Sequence, residues 1–155
     1  TDLENDDADG VWEDSVKNNL HAFASQPFEK LCLEYLYILN RNRKLPFRIH
    51  NASRYWGKTV QITDGKKRCV NIEIDILAPD AGRKNFIFGE CKFTNEQFDM
   101  QQLRKLQSKV FVEGKVYYYL FSLSGFTDAV KEYAASHEEV VLVTANDLVS
   151  VSRTV

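Results

Sequence analysis

A layered α/β domain, with a mixed sheet flanked by helices, is the fold class this sequence predicts. Three observations point there. Helical apolar spacing in the first third gives way to strand-like alternation, and strand and helix signals then take turns to the end of the chain. Asp64-Gly65 stands between two β-rich runs, the signature of a tight hairpin. The run from Val116 to Leu123 is almost wholly apolar and rich in Val, Tyr and Phe, as expected of a central strand covered on both faces.

Taken in order, the elements are these. Val11, Trp12, Val16, Leu20 and Phe23 recur at near-helical spacing and predict an amphipathic helix over 11–24. Pro27 suits the first turn of a second helix, whose apolar face is Phe28, Leu31, Cys32, Tyr35, Leu36 and Leu39. Its polar exit is 40–44. A strand-rich region is expected from Phe47 to His50, continuing through Thr59–Ile62 to the Asp64-Gly65 turn. Val70–Leu77 forms the next strand, Pro79–Gly82 supplies turn chemistry, and Asn85–Phe93 is a further strand. Helical spacing returns over Glu96–Phe111, with Leu103, Leu106 and Val110 on one face. After the buried strand, Ser124-Gly125 turns the chain into a helix over Phe126–Ser136, followed by a short strand at Val140–Thr144 and a last helical turn at Asn146–Val149.

With 155 residues, the chain is long enough for one domain with a real core and too short for two ordinary ones. The expected division is an acidic, disordered linker at 1–10, one domain at 11–149, and a tail at 150–155. Residues 1–14 hold seven acids and no base, which leaves 15 acids against 20 bases in the remainder. The body is therefore mildly basic although the chain is at −2 overall. No apolar run approaches the ~20 residues needed to span a bilayer, and no secretory signal is visible. Cys32, Cys69 and Cys91 are odd in number and far apart, which argues against a disulfide framework or structural zinc and for a cytoplasmic setting. His21, His50 and His137 are scattered and read as surface or interface residues. The chain starts at Thr1 and its one methionine is Met100, which suggests a piece of a longer protein or a processed product.

Chemistry concentrates in two strands. In Phe88-Gly89-Glu90-Cys91-Lys92, alternation puts Glu90 and Lys92 on one face and Cys91 on the other. If the strand containing Ile74-Asp75-Ile76 pairs antiparallel with it, Asp75 lies beside Glu90. Two carboxylates directed at one point make a hard-cation site suited to Mg²⁺ or Mn²⁺. Both acids are embedded in apolar runs, where uncompensated charge costs several kcal/mol per ion. A structural ion pair between Asp75 and Lys92 is the alternative explanation. Glu73 shares the strand parity of Asp75 and reads more simply as a surface charge.

The order helix with Glu29, hairpin, Asp75, Glu90-Cys91-Lys92, helix, buried strand resembles the PD-(D/E)XK restriction-endonuclease-like superfamily. Phe28–Cys32, Arg54–Gly57, Glu73–Ile76, Phe88–Lys92 and Phe121–Phe126 further resemble an uncharacterised domain that follows the ATPase module in archaeal and bacterial AAA-type ATPases. The resemblance implies a restriction-endonuclease-like α-β-β-β-α-β core and a metal-dependent endodeoxyribonuclease. In it, Asp75 and Glu90 hold the metal with the Cys91 carbonyl as a further ligand. Glu29 is the helical acid added to that set, Lys92 orients water or supports charge on phosphate, and Gln101 or Gln102 supports the site. The chain departs from the superfamily label in having Ile74, not proline, before Asp75. The implied partners are DNA and an ATPase module on the same longer chain, with no membrane; a homo-oligomer is compatible with this.

Two further patterns in the chain bear on function. Ala52–Thr59 ends in Gly-Lys-Thr like a phosphate-binding loop, but Tyr55 and Trp56 crowd it and strand-like residues follow where a helix should begin, which argues against ATP binding. Arg41, Arg43, Lys44, Arg54, Lys58, Lys66, Lys67, Arg68, Arg104, Lys105 and Lys109 are candidates for phosphate contacts, each read alone more simply as solvated surface, and Tyr55 and Trp56 are candidates for stacking on a base, with core or interface packing as the alternative. The competing functional expectation is a catalytically inactive nuclease-fold module that mediates DNA or protein interactions for the attached ATPase.

Overall fold

The computed structural model describes residues 25–153. The acidic lead and the helix predicted over 11–24 lie outside the described residues. Nine elements follow in order: α1 (Ser25–Arg41), β1 (Ser53–Thr63), β2 (Lys66–Pro79), β3 (Asn85–Lys92), α2 (Met100–Ser108), β4 (Lys115–Ser122), α3 (Asp128–Ser136), β5 (Val140–Thr144) and α4 (Ala145–Arg153). The strands form one mixed sheet in the order β1-β2-β3-β4-β5. β1, β2 and β3 run as an antiparallel meander, and β3, β4 and β5 are parallel, joined by crossovers through α2 and α3. The expected mixed sheet flanked by helices is therefore present.

Each face of the sheet has its own core. Phe28, Cys32 and Leu36, spaced four apart on α1, are buried against Ile76, Ala78, Ile87, Tyr119 and Phe121, with Leu148 of α4 closing that side. On the opposite face, Leu103 and Leu106 of α2 and Val130 of α3 pack against Ile74, Phe86, Phe88 and Leu120. β3 is the middle strand, and its Phe86 to Gly89 segment is fully buried. The Val116–Leu123 run is interior but one place from the centre, because β5 on its outer side is the sheet's edge.

Several boundaries move, for local reasons. The strand expected at Phe47–His50 is a loop: the Asn40 side chain of α1 bonds both backbone groups of Ile49, and His50 N–H donates to the Pro79 carbonyl. α2 is shorter than the 96–111 periodicity, because Asp99 caps it: its carboxylate accepts from Gln102 N–H while the Gln102 side chain accepts from Asp99 N–H. α4 runs through to Arg153, so 150–153 belongs to a helix and not to a tail. Residues 53–59 of the phosphate-loop look-alike lie in β1, with no helix at Lys58. The Asp64-Gly65 hairpin is present, both residues at positive φ (53° and 74°), as a type I′ turn requires.

Candidate functional site

The ladder between β2 and β3 runs from Pro79–Phe86 to Ile76–Gly89 and stops there. One step further in the same register, Asp75 stands opposite Glu90, so the two acids meet where the strands part. An irregularity on the other side of β2 coincides with this point. Ser53 pairs with Leu77 and Tyr55 with Ile74, so two steps of β1 are matched by three of β2, and the extra residue falls at 75–76 opposite Arg54. Its effect shows in the packing: Ile74 belongs to the α2 side of the sheet and Ile76 to the α1 side.

Asp75 takes over the ladder's work at the gap. Its Oδ2 accepts the Cys91 N–H at 2.8 Å. Burial nevertheless raises the Asp75 carboxyl above its ordinary value, against the lowering effects of that bond and of Arg54 and Lys109. Glu90 is pushed up to about 7, first by burial and then by the Asp75 charge, with Lys109 and Lys105 opposing. Among the described residues no hydrogen-bond donor reaches the Glu90 carboxylate; Lys109 Nζ lies 3.9 Å from its Oε2 and donates to the Glu73 carbonyl at 2.8 Å. The Asp75 charge thus disfavours that of Glu90, which among the described residues has no donor to offset it.

Glu29 faces the same region from α1, and its carboxyl is also raised, by burial first and Asp75 second. It is not free, however. Arg54 forks between Glu29 Oε2 at 3.1 Å and Glu73 Oε1, and its guanidinium lies 5.0 Å from the Trp56 ring centre. Glu73 is thus a half-exposed ion-pair partner, in line with its reading as a surface charge. Among the described residues, no group of three or more His, Cys, Asp or Glu side chains is arranged to hold a metal. The carboxylates that remain, Asp75 and Glu90, are of the number and kind that Mg²⁺ takes, since it keeps several waters and needs only one or two carboxylates.

A family profile described as "Archaea bacterial proteins of unknown function", DUF234, matches residues 1–106, which include both strands of the acid pair. The chain belongs to the DUF234 family. No curated protein matches it. Among solved structures, the DUF234 chain is similar to one titled "Crystal Structure of Protein of Unknown Function AF1548", at 15% identity and a TM-score of 0.41; the likeness covers 71% of this chain and 55% of that one.

In the DUF234 chain Lys92 does share the Glu90 face of β3, but its ammonium is drawn to the start of α2. It donates to the Gln97 carbonyl and to Gln102 Oε1, both at 3.0 Å. Of the two candidate glutamines, Gln102 is thereby connected to the motif and Gln101 is exposed. Lys109, at the C-cap of α2, is the cation nearest in role to the acids, and no spacing signal in the sequence distinguishes it from other lysines. Cys91 turns away from the pair toward Cys32, and that contact, with burial, raises its thiol well above the ordinary range, so it is a poor nucleophile. An open groove of about 620 Å³ leads to Asp75 between Pro27, Glu29, Lys30 and Leu33 of α1 and Arg54 and Trp56 of β1. Trp56 is 67% exposed at its rim, whereas Tyr55 is stacked on Phe111 at 4.6 Å and is spent on packing. His50 is exposed and His137 stacks on Tyr133, while His21 lies outside the described residues. No helix among the described residues is long and apolar enough to cross a membrane.

Proposed function

We propose that this chain is a restriction-endonuclease-like, Mg²⁺-dependent phosphodiesterase acting on DNA, working beside an ATPase module of a longer protein. The observation that carries the reading is the opened ladder, which sets Asp75 opposite Glu90, with Asp75 at the end of a solvent-accessible groove. Asp75 and Glu90 would hold the metal, with the Cys91 carbonyl as a further donor. A bound Mg²⁺ would activate water and offset charge on the phosphate. The chain's own contribution is positioning. The Cys91 N–H fixes the Asp75 carboxylate and Lys109 offsets the charge on Glu90, while Lys92, held by Gln102 at the start of α2, would leave that contact to reach a phosphate oxygen.

A second reading is favoured by Arg54. Its guanidinium already compensates Glu29 and Glu73, and with Lys109 it would allow the acids to persist as a structural cluster in a nuclease-fold module that binds without cutting. Calorimetric titration of Mg²⁺ and then Mn²⁺, with labelled DNA added to the same samples, separates the two. Metal binding and cleavage in the wild type, both lost in an Asp75→Ala, Glu90→Ala double variant, are the expected results. Neither in the wild type would leave the binding module; cleavage surviving in the double variant would sink the site.

A further inference from the structure

Because β2 is bonded to β3 only from Ile76 onward, the preceding part of β2 and its partner β1 extend past the sheet as a two-stranded ribbon. From Trp56 to the turn at Asp64 the ribbon is about 27 Å long at ~3.4 Å per residue. Its outer part stands clear of the rest of the described residues: every residue from Val60 to Cys69 is exposed. Val60 and Ile62 are 61% and 71% exposed and share a face with Trp56. An isolated two-stranded hairpin is marginal in water, and this one adds exposed apolar surface to it.

The ribbon's charges are one-sided. From Lys58 to Asn71 it carries Lys58, Lys66, Lys67 and Arg68 against the single acid Asp64. In the ladder Ile62 pairs with Lys67 on its own face, while Lys66 and Arg68, opposite Thr63 and Gln61, lie on the other face, so the tip carries cations on both faces with Lys67 beside Ile62. A second copy of the chain stacked tip to tip on this face would set one Lys67 against the other. An acidic peptide would leave the Val60–Ile62 stripe without a use. A nucleic-acid duplex satisfies both features: two-stranded ribbons fit its grooves, phosphates pair with the cations, and Ile is among the side chains that wedge against base steps.

We propose that the β1–β2 ribbon is an arm that grips duplex DNA, with Lys66, Lys67 and Arg68 on backbone phosphates and Ile62 as an apolar wedge against the bases. Asp75 sits at the root of the arm, so the gripped duplex is delivered to the acid pair; that delivery rests on the function proposed above, while the grip does not.

The test is duplex binding by fluorescence anisotropy in EDTA, where metal and cleavage play no part, over a series of salt concentrations. The wild type should bind. A Lys66→Glu, Lys67→Glu, Arg68→Glu variant should lose at least tenfold in affinity and flatten the log–log salt slope by about three. Ile62→Ala should weaken binding with the salt slope unchanged and reduce bending of an end-labelled duplex. All these positions are exposed, and unchanged circular dichroism and Mg²⁺ calorimetry should show that fold and acid pair are intact. Wild-type affinity in the triple variant, tighter binding of single strands than of duplex, or concentration-dependent self-association abolished by Ile62→Asp would each overturn the assignment. Absence of cleavage with duplex binding intact would instead remove the catalytic reading and leave the arm.

Discussion

At Glu90 burial and the neighbouring Asp75 charge act in the same direction, and the acid is lifted to about 7. Asp75 and Glu29 are raised as well, with burial the largest cause for each. Between the ordinary glutamate value of 4.5 and about 7, the folded chain therefore holds protons that the unfolded chain releases. Unfolding free energy is then fully supported below that window and falls as pH rises through it. Thermal midpoints measured between about pH 5 and about pH 8 in EDTA should fall with pH, and Glu90→Gln should weaken that dependence. The facing of Asp75 and Glu90 is legible in the sequence because strand alternation and an antiparallel turn suffice to align them. The engagement of Glu29 by Arg54 is not, since it depends on where α1 lies across β1, and side-chain choice between Lys92 and Lys109 depends on how α2 docks.

The next scale is the helix α2 and its cap. Asp99 and Gln102 close the first turn reciprocally, and the same Gln102 oxygen accepts the Lys92 ammonium. One side chain thus ties the helix start to the strand motif. Asp99→Ala should cost about 1 kcal/mol of stability by urea unfolding, the usual range for a lost cap being ~0.5–2 kcal/mol. It should also release Lys92, which a shift of its Nζ resonance would report. The periodicity of 96–111 points to a helix but not to its start. The cap residue settles that, and reading Asp99-x-x-Gln102 as a capping box would have moved the boundary to Met100. The loop at Phe47–Asn51 shows the opposite situation. Its alternation is strand-like, but Asn40 from a distant turn of α1 claims the Ile49 backbone, a tertiary effect that no local pattern announces.

For the whole molecule, the sheet's two halves are built on different rules, antiparallel toward β1 and parallel toward β5, and the site lies at the seam on β3. Helix and strand alternation after residue 85 makes the parallel half legible, because parallel strands need crossovers of helical length. The hairpin turn makes the antiparallel half legible. How far the two halves remain bonded to one another is set by the bulge at 75–76, which no composition signals. That bulge has one consequence for solvent exchange. Where the β2–β3 ladder ends, the Cys91 amide is closed not by a strand but by a single carboxylate oxygen. Its deuterium exchange therefore follows the state of one side chain rather than the opening of the sheet. In Asp75→Asn, whose amide oxygen can still accept, the Cys91 proton should stay slow. In Asp75→Ala it should exchange orders of magnitude faster than that of Gly89 in the adjoining ladder, making this one amide a local gauge of what the acid pair is doing.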